Sequence, residues 1–343
     1  MDQRVLLWRS KLGARALVLF TALAAAMAPA GCGGGSAGSP QLHPSAQRPF
    51  HVGGTPVAVA AGEGGVWVVD NARSRVVELD PSSTRPARGP IRVGAGPEAI
   101  TVGGGSVWVA SGNDTVTRID PETGRATVAP REVADPAGIA AGDGSVWVTS
   151  RADGTVTRLD PRTLRPTGDP IPVGAQPADV AVGEGFVWVA NARDGTVTRI
   201  DAASGEAGEP IDVAKYQVLG LSVGEGGVWV AKSEDRLAQR IGVVRIDPST
   251  SRPDDASTEV PAAIPVRLAT GYGGVWVTLA GGVRPPDLRP QAGRVALVDP
   301  ESGDEAGAPL RVGNRPSGIA VGEGFVWVAD AGDGTVTRID PGA

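Results

Sequence analysis

Residues able to do chemistry are few in this chain, and they are unevenly placed. There are two histidines, His43 and His51, and one cysteine, Cys32. No Ser/His/Asp set, zinc-ligand spacing or phosphate-binding loop accompanies them. Cationic and aromatic side chains do gather in one region: Lys215, Tyr216, Lys232, Glu234, Asp235, Arg236, Arg240, Arg284 and Arg289. Such a set suits recognition rather than bond making. Its ammonium and guanidinium groups would meet an acidic protein loop or an anionic small molecule, and Tyr216 would add an apolar contact. No residue is assigned a catalytic or metal-binding role, and no cofactor is expected.

The elements that position these residues are set by a repeat. Val-Trp-Val occurs seven times, centred on Trp67, Trp108, Trp147, Trp188, Trp229, Trp276 and Trp327, at spacings of 41, 39, 41, 41, 47 and 51 residues. A period near 40 with several short strands per unit predicts an all-β, seven-bladed β-propeller of four-stranded antiparallel blades. The fourth repeat reads most clearly. Residues 179–182, 186–190, 196–200 and 211–213 are β-branched-rich runs bounded by Gly, Asp or Pro, as a meander requires. Each tryptophan sits mid-strand and is expected in the contact between blades. Asp80, Asp120, Asp160, Asp201, Asp247, Asp299 and Asp340 end the third strands and read as turn residues that accept backbone N–H bonds. Arg118, Arg158, Arg199, Arg245 and Arg338 share one repeat position, and Glu63, Glu184, Glu225 and Glu323 share another. Short ion pairs between the two sets are expected.

The last repeat ends after three strands, and Phe50-His51-Val52-Gly53 resembles the outer-strand sequence Ile91-Arg92-Val93-Gly94. The N-terminal strand is therefore expected to complete the seventh blade and close the ring. Alternating strand directions place the second-to-third-strand loops and the blade-to-blade connections on one face, the top. Three blades make the top hairpin with Asp-Gly, at Asp153-Gly154, Asp194-Gly195 and Asp333-Gly334. Blade five instead inserts residues 232–241 and blade six residues 280–292. The connection into blade five, Ala214-Lys215-Tyr216-Gln217, also departs from the usual Gly-x-x-Pro. Insertions on one face of a repeat array mark a binding face, so the cationic set is expected there as a ligand or partner site.

At the front, residues 1–31 read as a signal peptide. Arg4, Arg9, Lys11 and Arg15 precede an apolar run from Ala16 to Ala28. Ala30-Gly31-Cys32 resembles a lipobox, with Cys32 the acylated residue; Pro29 stands where a leucine-like residue is usual. Residues 32–49 read as a lipid-anchored flexible tether, and residues 50–343 as the propeller. Removing residues 1–31 takes away four basic residues and one acidic residue, which moves the net charge from −6 to −9. Without a basic stripe this argues against nucleic acid, and it leaves the anchor as the only membrane contact. One cysteine permits no internal disulfide. The expected protein is an extracytoplasmic, membrane-anchored monomer.

The repeat from Gly318 to Ala329, GIAVGEGFVWVA, followed by Asp333-Gly334-Thr335-Val336, resembles bacterial YVTN/NHL-type propellers. The likeness is strongest to the YncE-like and virginiamycin B lyase-like families, over about residues 50–340. The lyase resemblance implies a seven-bladed monomer that linearises streptogramin B antibiotics with a histidine base, a glutamate and Mg²⁺. His43 and His51 match no top-face catalytic position, so the expectation is a non-enzymatic binding or interaction module. A divergent lyase-like enzyme with a metal at the central channel is the alternative.

Overall fold

The computed structural model describes residues 42–129, 131–236, 238, 240–260, 267–280 and 292–342. Cys32, the segment 1–31 expected as a signal peptide, Arg284 and Arg289 lie outside them. The described chain forms seven antiparallel sheets arranged as a propeller, with one short 3₁₀ turn at Asn71–Arg73. Blade four is representative: Pro177–Gly183 is innermost, then Phe186–Asn191, Thr196–Asp201 and Ile211–Asp212 outermost. Inner strands lie side by side around the channel, and Pro316–Gly322 of blade seven returns to Pro56–Gly62 of blade one.

The tryptophans explain why the blades stack. Trp67 packs on Val107 and Val109 of the next blade, Trp108 on Val146 and Val148, and Trp147 on Val187 and Val189. The rule continues round the ring until Trp327 meets Val66 and Val68 of blade one. All seven indoles are at most 2% exposed. The valines flanking each tryptophan point to the opposite sheet face. One triplet therefore supplies one half of each of two successive interfaces.

Closure occurs where the sequence places it. Phe50 and His51 pair with Val336 and Thr335 of the last strand. The pairing extends further upstream: Ser45 and Ala46 pair with Asp340 and Ile339, and Gln47 N–H donates to the Arg338 carbonyl at 2.9 Å. In blade four the residue opposite Ile200 is Ala207, four residues before its outer strand. Ala46 takes that place opposite Ile339. Of the segment expected as tether, residues 42–49 thus act as the missing part of a fourth strand, and Leu42 packs into the cluster around Trp276.

The expected ion pairs between the repeating arginines and glutamates do not form among the described residues. Seven of the nine reach forward to backbone of the next blade instead. Arg118, Arg158, Arg199 and Arg338 donate to carbonyls of Pro161, Ala203, Pro248 and Pro81. Glu63, Glu225 and Glu323 accept the N–H of Gly105, Gly273 and Gly64. Arg245 instead stays within blade five, 3.9 Å from Asp254. The aspartates that end the third strands do accept backbone N–H bonds, as at Asp80 from Ser82 and Ser83. Hydrogen bonds from the Ser82 hydroxyl and these N–H groups hold the Asp80 carboxyl below its ordinary range.

Candidate functional site

The inner strands leave a channel of about 390 Å³ lined by residues of all seven blades. Most of the lining is aliphatic, including Val59, Ile100, Ile139, Val180, Leu221 and Ile319. The charged exceptions, Glu98, Arg151, Asp179 and Arg267, cluster at the top mouth. In six blades a bulge follows the residue that begins the inner strand, which re-aims the next two side chains. The position two residues after that start carries Ala58, Ala99, Gly138, Gly220 and Gly318 in five blades, but Asp179 in blade four and Arg267 in blade six. Small residues suit this position because it faces the neighbouring inner strand. A Cβ on Gly318 would come within 2.8 Å of the Ala58 Cα.

Asp179 and Arg267 therefore break the pattern with opposite charges. Leu221 N–H donates to Asp179 Oδ2 at 3.1 Å, and Val180 N–H to Oδ1 at 3.0 Å. Arg267 donates to the Leu219 carbonyl at 3.2 Å. Both side chains thus converge on blade five from either side, across the bare backbone of Gly220. Burial pushes the Asp179 carboxyl up, and the Arg267 charge with the two N–H bonds opposes that rise. Across the mouth, Arg151 reaches Glu98 at 2.9 Å and Asp135 at 3.2 Å. With Asp179 and Arg267, the charged residues that line the channel are two carboxylates, Glu98 and Asp179, and two guanidiniums, Arg151 and Arg267.

Of the residues singled out from loop length and charge, the described ones, Lys215, Tyr216, Lys232, Glu234, Asp235, Arg236 and Arg240, lie on the connection and inserted loop of blade five. Lys215 lies over the Tyr216 ring at 5.6 Å. This connection is tied to the inserted loop by Ser233 N–H donating to the Gln217 carbonyl at 2.8 Å. Within the loop much of the positive charge is already matched. Lys232 meets Glu234 at 3.2 Å, and Arg240 lies 3.8 Å from Asp235 and 3.3 Å from Glu259. Lys215 and Arg236 are exposed. Asp179, Arg267, Glu98 and Arg151 are not in that set, although repeat alignment at the strand start exposes the first two. His51 lies on the outer strand of blade seven opposite Thr335, and His43 lies beside Gly342. Neither histidine lines the channel.

No family model and no curated protein sequence matches the chain. Among solved structures the chain is similar to streptogramin B lyase, at 18% identity and TM-score 0.69 over 87% of this chain and 97% of that one. It is similar to a catalytically inactive virginiamycin B lyase variant from Staphylococcus aureus with quinupristin, at 17% identity and TM-score 0.67 over 87% and 99%. It is also similar to Kuenenia stuttgartiensis hydrazine synthase, at 15% identity and TM-score 0.65 over 83% and 95%. Proteins named for such different activities share this scaffold, so the likeness establishes the propeller fold and leaves activity to the site itself.

Proposed function

We propose that this chain is a non-enzymatic binding module whose ligand enters the top mouth of the channel at blades four to six. The observation that carries this reading is the Asp179/Arg267 pair, set in a largely aliphatic cavity at a position where five blades carry Ala or Gly. A large concave site with a few converging polar groups is the usual form of a ligand site. Lys215 and Tyr216, with the Lys232, Asp235, Arg236 and Arg240 loop, belong to this reading as its blade-five rim; Arg284 and Arg289 belong to it as the blade-six rim. Export and anchoring through an acylated Cys32 complete it.

The lyase-like alternative needs a base and Mg²⁺. Mg²⁺ takes hard oxygen donors in near-octahedral geometry. The channel carboxylates fit it poorly: Asp179 is set against Arg267 and Glu98 is paired with Arg151. No group of three or more His, Cys, Asp or Glu residues able to hold an ion occurs among the described residues.

A thermal-shift screen of a small-molecule library tests the reading, run on the full-length protein and on an Asp179→Ala/Arg267→Ala variant. Each stabilising compound is then recovered and analysed by mass spectrometry. The expected result is stabilisation of the native protein alone, with the compound recovered intact. Equal stabilisation of both proteins moves the site away from the mouth, and chemical conversion of the compound replaces the binding reading with an enzymatic one.

A further inference from the structure

Opposite charges at one mouth restrict what the mouth accepts. A ligand with only an anionic group meets Arg267 favourably but is repelled by Asp179 and Glu98. A ligand with only a cationic group is repelled by Arg267 and Arg151. Like-charge contacts of this kind set specificity as effectively as attractive ones. A carboxylate oxygen has room for more than one hydrogen bond, so the two backbone N–H donors on Asp179 do not exhaust it. Arg267 contributes a planar guanidinium, whose geometry matches a carboxylate. Beyond the pair, Val180, Ala181, Val182 and Leu221 continue the wall as aliphatic surface. The cavity, about 390 Å³, falls in the range of small-molecule sites. Nor does ring assembly require charges here, since five blades pack with Ala or Gly at the same position.

We propose that the channel mouth binds a small zwitterion of the amino-acid or dipeptide class, with its ammonium group on Asp179, its carboxylate on Arg267 and its apolar portion against the aliphatic wall. This rests on the reading of the mouth as the binding site.

The test uses titration calorimetry on the full-length protein with the twenty free amino acids and a set of dipeptides. Each binder is compared with its N-acetyl and C-amide forms. Both blocked forms are expected to bind more weakly by about tenfold or more. In Asp179→Asn the penalty for N-acetylation should shrink, and in Arg267→Gln the penalty for amidation should shrink. The blocked-ligand comparison on native protein stands even where a variant fails to fold. Binding of no amino acid or dipeptide, or blocked forms that bind as tightly as free ones, overturns the zwitterion assignment. If library compounds of another class then bind in a manner sensitive to Asp179 and Arg267, the binding-module reading survives without it. If no compound does, both fall.

Discussion

Asp330 and Asn191 end the second strands of blades seven and four at the same repeat position, and both are fully buried. Asn191 donates to the Thr196 and Thr198 hydroxyls at 3.0 and 2.9 Å. Asp330 accepts from the Thr335 and Thr337 hydroxyls at 3.3 and 2.7 Å, while its Oδ1 has no hydrogen-bond partner among the described residues. In blade one, Asp70 has Arg75 at 2.7 Å and Arg73 at 3.4 Å, and these with the Thr55 N–H outweigh its burial and hold its carboxyl below the ordinary value. Asp330 has no such cation among the described residues. Burial pushes it from an ordinary 3.8 up to about 7, and Asp333 adds to the rise. Its folded pKa therefore lies above its unfolded one, so the folded state holds the proton more tightly. The resulting stabilisation is full below about pH 4 and is lost as pH rises to about 7. Asp330→Asn should raise stability at pH 8 by about 2–4 kcal/mol and flatten the slope between pH 4 and 7. Urea midpoints at pH 4, 6 and 8 measure this, and an unchanged slope in the variant would refute it.

At the scale of elements, every blade interface carries at least one forward latch from a side chain to the next blade's backbone. Arg118, Arg158 and Arg199 serve blades two to four. Blade one has Glu78 at the arginine position, and Arg88, held by Glu78, donates instead to the Pro121 and Glu122 carbonyls. Blade five uses Glu225. Blade six has Leu297 in place of the arginine, and there Tyr272, at the turn position of the glutamates, accepts the Gly324 N–H at 2.8 Å. Blade seven uses Glu323 and Arg338 together. The turn residues sit at φ near +50°, as at Glu63 and Tyr272, each followed by a glycine that also has positive φ. That is the geometry of a tight hairpin turn, and it aims the side chain at the neighbouring blade. Tyr272→Phe removes only the hydroxyl and should cost about 1 kcal/mol, read from the urea midpoint. A neutral result would show that the blade-six to blade-seven contact does not depend on this bond. The charge complement of these latches was legible in the sequence, but their direction was not. Periodicity gives a repeat position, whereas the partner lies on another blade some 40 residues away.

For the whole molecule, closure is the point of vulnerability. The last strand is paired along its length by residues 45–51, and Phe50 sets its ring edge-on to Trp327 at 6.5 Å. Deleting residues 42–51 exposes that edge. The expected outcome is a lower urea midpoint and concentration-dependent oligomers in size-exclusion chromatography; a monomer of native stability would show that the ring closes without the strap. Because Leu42 is already packed in the cluster around Trp276, an anchor at Cys32 would leave only a short connection to the ring. Metabolic labelling with palmitate tests that anchor. Label on the native protein and none on Cys32→Ser supports it, and label on neither removes the lipoprotein reading.

The sequence by itself determined the blade number, the strand order within each blade, the tryptophan contacts and the closing strand. All of these follow from periodicity and from the need to bury each Val-Trp-Val on its neighbour. Loop length and charge also singled out the top of blade five, through Lys215, Tyr216 and the inserted loop. Only the tertiary structure decided that Lys232 and Arg240 are largely matched by local carboxylates, and that Asp179 and Arg267, 88 positions apart in the numbering, share one mouth. The reason is the ring itself. A propeller brings equivalent positions of separate blades around one axis, so a site there is assembled across repeats. Within any single repeat, Asp179 or Arg267 is only one charged residue on a short strand.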